Sequence, residues 1–196
     1  MKVLIIDSST EYLTCRFYDE RIDKLYFEKT MISHNNHSEN LLPSIEEGLN
    51  KTGFKLQDFD KIIVGSGPGS YTGLRIGLVV AKMISYSLNI PLFHISSLFL
   101  CGSGYFTNDG IYAVTSVAKK NYSYMQIVKV ENNNIFVQSE DEFLETSLAE
   151  EKIVANNAKK ICEGNYQIND KIVCNFATKV DNIHDFVPNY LRKANS

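Results

Sequence analysis

The sequence predicts an α/β protein made of two related halves, the second abbreviated. Three observations carry that expectation. In residues 1–100, apolar runs of period two alternate with apolar stripes of helical period. A glycine-rich turn, Gly65 to Gly73, joins one short apolar run to a long apolar helix. The second half then repeats the opening of the first in outline: three strand-like runs, a helix, and more strand.

The elements follow in order. Residues 3–7 form a short apolar run ending in Asp7-Ser8-Ser9-Thr10, a strand that runs into turn chemistry. Leu13, Cys15 and Phe17 alternate with Thr14, Arg16 and Tyr18, which predicts a half-buried strand. Asp19-Glu20-Arg21 turns the chain, and residues 25–30 alternate again. Over residues 38–51, Leu41, Leu42, Ile45 and Leu49 make a narrow helical stripe, with Ser38 as N-cap and Gly53 as the C-terminal stop. Residues 60–64 read as a buried strand, residues 72–88 as a second helix ending before Pro91, and residues 92–95 as a fifth strand. The first lobe, residues 1–100, is thus β-β-β-α-β-α-β. In the smaller lobe, residues 101–196, strands are expected at 111–117, 122–130 and 135–138. A helix is expected at 141–148, then strands at 153–155 and 172–175.

Composition narrows the function classes. The 196 residues are 44% apolar and 22% charged, which excludes a wholly disordered chain and a coiled-coil rod. The net charge of −3 is spread over both halves, and no basic stripe marks a chain that binds nucleic acid by itself. The opening apolar run reaches Asp7 too soon for a signal peptide, and polar residues interrupt the stretch 74–88, so neither export nor a membrane span is expected. Cys15, Cys101, Cys162 and Cys174 are scattered, as in reduced cytoplasmic thiols.

Gly67-Pro68-Gly69-Ser70-Tyr71-Thr72-Gly73-Leu74-Arg75-Ile76-Gly77 is the strongest local motif. Between a strand and a helix N-terminus, such a loop has two readings. It is an anion cradle of backbone N–H groups, or a tight turn whose glycines allow close backbone packing. It matches neither the dinucleotide fingerprint nor the Walker loop. Asp7, Ser8 and Ser9 at a strand tip can hold magnesium or phosphate, or can cap their own turn. His34, His37 and Glu39 lack the spacing of a zinc peptidase and fit a loop entering the first helix. No Gly-x-Ser-x-Gly elbow is present, and neither Cys101 nor His94 has a catalytic partner in the pattern. The second helix is apolar almost all round. One side can cover the sheet, and the other calls either for another protein chain or for cover from within the chain by a sheet layer and a neighbouring helix.

The Gly67–Gly77 motif resembles the signature of the TsaB (YeaZ) family, the accessory subunit of the bacterial complex that makes threonylcarbamoyladenosine in tRNA. Ile5 to Glu11, His37-Ser38-Glu39-Asn40-Leu41-Leu42-Pro43 and Pro188-Asn189-Tyr190-Leu191-Arg192 agree with it, so the resemblance covers residues 1–100 and, more thinly, the rest. It implies the actin-like/hexokinase-like ATPase fold and a non-catalytic scaffold that pairs with a TsaD-type paralogue, joined by a TsaE-type ATPase. Pairing runs through the two helices of the first lobe, with Leu41, Ile45, Leu74, Leu78, Val80, Met83 and Ile84 as interface residues, and the same surface can pair two copies. tRNA is approached only through the complex. Asp7, Ser8, Ser9, Gly67, Gly69 and Gly73 would be a vestigial ATP/Mg site, with no required cofactor and no metal. The catalytic paralogue's two metal-binding histidines are replaced here by Ser97 and Cys101, and the family's Asp-Ala-Arg-x-Gly segment by Val117-Ala118-Lys119-Lys120-Asn121. The rival reading is an ATP-dependent phosphotransferase or ATPase of the same fold, in which Asp7 places magnesium and Gly67–Gly73 the phosphates.

Overall fold

The computed structural model describes residues 1–33 and 37–191. The first lobe opens with β1 (Lys2–Asp7), β2 (Tyr12–Asp19) and β3 (Lys24–Ile32), then α1 (His37–Thr52), β4 (Lys61–Gly65), α2 (Tyr71–Leu88) and β5 (Leu92–Ile95). The expected order holds. Next come α3 (Ser97–Gly102), β6 (Gly110–Lys119), β7 (Tyr122–Glu131), β8 (Asn134–Val137), β9 (Glu142–Glu145), α4 (Thr146–Ala155), β10 (Lys159–Ile161), α5 (Asp170–Phe176) and β11 (Thr178–Lys179). The first sheet runs β11-β5-β4-β1-β2-β3, with β1, β4 and β5 parallel. The second runs β10-β6-β7-β8, and β9 also pairs β7.

Period two in β1 builds the layers. Leu4 and Ile6 join Leu13, Cys15 and Phe17 on one face of the first sheet, under Leu41 and Ile45 of α1 and Leu78 and Ala81 of α2. Val3 and Ile5 point the other way, into a core shared with α3, α5 and Tyr112, Val114 and Val128 of the second sheet. The far face of the second sheet carries Ala149 and Ile153 of α4. The lobes are therefore joined through one continuous apolar layer, each apolar side chain in it contributing roughly 1.5–3 kcal/mol by burial.

Several expectations change. Residues 141–148 are not a helix: β9 occupies 142–145 and α4 begins at Thr146. The strand expected at 153–155 is the end of α4, and the one at 172–175 is α5. α1 already includes His37, so Ser38 is inside the helix and is not its cap. α2 starts at Tyr71, capped by Ser70, whose side chain accepts from the Gly73 N–H at 3.3 Å. Gly53 has a φ of +71°, the left-handed stop expected of it. The division at residue 100 also needs correction, because the chain returns to the first lobe at its end. β11 pairs β5 antiparallel, and Val180 is buried in the core beneath α1 and α2.

Candidate functional site

The Asp7–Thr10 turn and the glycine loop meet at the C-terminal edge of β1 and β4, so the structure brings the two motifs together. Asp7 is buried. Its Oδ1 accepts from the Ser9 N–H at 2.8 Å and the Ser9 hydroxyl at 2.7 Å, and its Oδ2 accepts from Ser97 Oγ at 2.6 Å. Burial pushes the Asp7 carboxyl above its ordinary value, and these hydrogen bonds oppose the rise. Ser97, the N-terminal residue of α3, also accepts from the Gly67 N–H at 3.0 Å, so it ties the strand tip to the glycine loop.

The loop is filled by the chain's own backbone. The Ser70 N–H donates to the Ser9 carbonyl at 2.6 Å, and Ser8 Oγ donates to the Gly73 carbonyl at 2.8 Å. A Cβ on Gly69 would stand 2.2 Å from the Ser9 carbonyl oxygen, and one on Gly73 2.0 Å from that of Ser8. These glycines admit the neighbouring turn, which is the close-packing reading of the motif. His37 lies buried beside them with Nδ1 unpartnered among the described residues, while His34 lies outside the described residues. Among the described residues, no group of three or more His, Cys, Asp or Glu could hold a metal ion. Cys101 is buried, and burial holds its thiol well above the usual range.

The expected interface residues divide into two sets. Leu41, Ile45, Leu74 and Leu78 are buried beneath their own helices against the first sheet and its loops, so they are core residues and not contact residues. Val80 and Ile84 are half-buried at the edge of that core. Met83 alone of the predicted set is open, at 62% exposure. Around it the structure adds what the sequence reading missed: Val79 at 53%, Tyr86 at 67% and, on the adjacent α1, Leu42 at 57%. Val79, Met83 and Tyr86 follow the i, i+4, i+7 spacing of one helical stripe, and Tyr71 and Arg75 extend it toward the N-terminus.

Part of the second side of α2 is covered from within the chain. The Lys82 ammonium donates to the His184 carbonyl at 3.2 Å, and Tyr86 meets the His184 ring edge-on at 5.2 Å. Tyr190 packs on Tyr71 at 4.9 Å and accepts from Arg75 Nε at 3.2 Å. The returning segment thus does some of the work expected of a partner, and the stripe centred on Met83 is what it leaves open.

Geometry defines a class first: a two-lobed α/β protein whose phosphate-type loop is closed by its own backbone and whose first-lobe helices expose an apolar stripe. The family model described as "TsaD: tRNA N6-adenosine threonylcarbamoyltransferase" matches residues 31–132. A Bacillus subtilis protein named tRNA threonylcarbamoyladenosine biosynthesis protein TsaB is 33% identical over 132 residues, 67% of this chain and 57% of that protein. The solved YeaZ from Pseudomonas aeruginosa superposes with a TM-score of 0.66 at 22% identity, over 74% of this chain and 67% of that one. A solved protein described as similar to peptidase YEAZ from Pseudomonas aeruginosa superposes with a TM-score of 0.77 at 17% identity, over 97% and 99% of the two chains. The fold is the actin-like/hexokinase-like ATPase fold with an abbreviated second lobe, and the chain belongs to the TsaB/YeaZ family. Its matches span about half the length of the first curated relatives, 57% and 46%. Among the described residues, no helix is long and apolar enough to cross a membrane.

Proposed function

We propose that this protein is an accessory subunit in the formation of threonylcarbamoyladenosine in tRNA, acting in the cytoplasm by holding a TsaD-type paralogue and doing no chemistry of its own. The single observation that carries this reading is the apolar stripe Val79–Met83–Tyr86 with Leu42, open on a lobe whose core is otherwise filled. The name of the Bacillus relative supports the pathway. The closed glycine loop supports a scaffold over the rival ATP-dependent enzyme, because the space a phosphate would need is taken by the Ser8 and Ser9 carbonyls. A self-complementary stripe also suits pairing of two copies when the paralogue is absent; a TsaE-type ATPase joins the pair with the paralogue, and tRNA is approached only through the complex.

The test is Met83→Asp, with mass in solution measured for mixtures with the paralogue. A charge buried at the centre of an apolar interface costs about 2 kcal/mol or more, roughly a 30-fold loss of affinity. Met83 is exposed, so the lone protein should unfold at an unchanged temperature. Wild-type affinity in the variant overturns the proposed docking face.

A further inference from the structure

The seam on α2 holds a cation that apolar docking alone does not account for. Arg75 lies four residues before Val79 and eight before Met83, so helical spacing sets it on the face that also carries Tyr86. At about 1.5 Å of rise per residue it sits about 12 Å along the axis from Met83. Arg75, Val79, Met83 and Tyr86 are all exposed, and Tyr71 closes the N-terminal end of the row.

The guanidinium is already held in one place. Its Cζ stands 4.1 Å from the centre of the Tyr71 ring, and its Nε donates to the Tyr190 hydroxyl at 3.2 Å. Tyr190 in turn packs on Tyr71 at 4.9 Å, so the three side chains brace one another. This uses Nε alone. Among the described residues no carboxylate pairs with Arg75, and nothing accepts from its two terminal nitrogens. The other cation of α2, Lys82, is committed to the His184 carbonyl.

In water a hydrated guanidinium costs the lone protein nothing, but docking changes its surroundings. A helix laid over Val79, Met83 and Tyr86 also strips water from Arg75, and a charge dried without a counter-charge opposes binding. The free fork of two N–H-bearing nitrogens matches the two oxygens of a carboxylate, and a fork fixed beforehand loses little freedom on pairing. The apolar side chains in line with it select a protein helix over a phosphate backbone as the source of the anion.

Resting on the docking reading above, we propose that the helix which covers Val79, Met83 and Tyr86 carries an Asp or Glu about two turns from its residue facing Met83, and that this carboxylate takes the terminal nitrogens of Arg75. Arg75 is then the specificity-determining residue of the face: it admits a helix with the acid in that place and penalises one without it. A second copy paired α2 to α2 cannot supply the acid, because α2 contains no Asp or Glu.

Calorimetry of the full chain with the TsaD-type paralogue tests this, in about 0.05 M and about 0.5 M salt. Arg75→Gln should lose about 10-fold in affinity at low salt and show a weaker salt dependence than wild type, and Arg75→Glu should lose about 100-fold. Arg75→Lys keeps the charge without the fork and should fall between wild type and Arg75→Gln. Tyr190→Phe drops the Nε bond and keeps the charge, so it should lose less than Arg75→Gln. Arg21→Gln, in the exposed turn between β2 and β3, should bind as wild type does. Changing one acidic residue of the partner's docking helices to Lys should restore binding to Arg75→Glu, and failure at every such position overturns the proposal. Lost binding in Met83→Asp with full affinity in Arg75→Gln also overturns it and leaves the docking reading standing. Full affinity in both variants, or no complex at all, overturns both. An equal loss of self-pairing in Arg75→Gln puts the acid on a second copy and overturns the assignment to a different protein.

Discussion

Replacing Gly73 with alanine separates the two readings of the glycine loop, because propensity and packing predict opposite signs. Gly73 lies in the first turn of α2, and in an open helix glycine to alanine stabilises by about 1 kcal/mol. Here the added Cβ would lie 2.0 Å from the Ser8 carbonyl oxygen, a backbone atom that cannot swing aside as a side chain can. Relief needs a shift of roughly 1 Å in the Asp7–Thr10 turn, at the overpacking cost of about 1–3 kcal/mol. The shift also strains the 2.8 Å bond from Ser8 Oγ to the Gly73 carbonyl, worth about 1 kcal/mol, and the 2.6 Å bond from the Ser70 N–H to the Ser9 carbonyl. With both bonds lost and the propensity gain set against them, a net loss of about 2–4 kcal/mol remains. For a chain of this size that lowers the melting temperature by roughly 4–16 °C. Gly53→Ala is the control. Its Cβ meets nothing within 4 Å, so only the φ of +71° counts, about 1–2 kcal/mol. Calorimetric melting of both variants is the assay. A Gly73→Ala protein as stable as wild type refutes the close-packing argument, and one that keeps its stability while losing affinity for an anion restores the cradle.

Three further predictions follow from buried groups. The Asp141 carboxyl accepts from Ser96 Oγ at 2.7 Å, but burial raises it to about 6. An acid raised on folding favours the folded state at low pH and loses that advantage as pH climbs from about 4 through 6, up to about 3 kcal/mol. Asp141→Asn should therefore stabilise the protein at pH 7.5 and much less at pH 4.5 in urea titrations, and equal gains at both would contradict this origin. Asp170→Asn leaves the buried Arg16 with half its partners and should cost about 3 kcal/mol or more, whereas Arg16→Met with Asp170→Leu should recover most of the loss. Burial lifts the thiols of Cys15 to about 12 and those of Cys101 and Cys174 as well, so only the partly exposed Cys162 should react quickly with a thiol reagent at pH 8 in the native protein.

How much was legible in the sequence depended on how local the cause was. In the first lobe, Leu13, Cys15 and Phe17 face one core while Thr14 and Arg16 face the other side, so period two shows directly in the letters. Residues 172–175 predict a strand because Ile172-Val173-Cys174 is a short apolar run opened by two β-branched residues, and such a run does not reveal whether a helix or a sheet will bury it; here it is α5. α4 buries only Ala149 and Ile153, too few for its stripe to stand out. The pairing of Arg16 with Asp170 joins residues 154 apart, and nothing near either residue announces it.

The docking helix shows the same limit at the level of function. An all-round apolar pattern says that two sides of α2 must be covered, but not which residues face the sheet, and the expected set mixed core with surface. Gly73, Leu74, Gly77, Leu78 and Ala81 are claimed by the sheet side, which by helical spacing turns Val79, Met83 and Tyr86 outward. The glycine loop is harder still. A glycine that admits a phosphate and one that admits the chain's own carbonyl are the same residue in the same kind of turn. Only the atom found beside it tells them apart, and here that atom belongs to Ser8 or Ser9. The carbonyls of Ser8 and Ser9 fill the space beside Gly73 and Gly69, and the same contacts tie the glycine loop to the tip of β1.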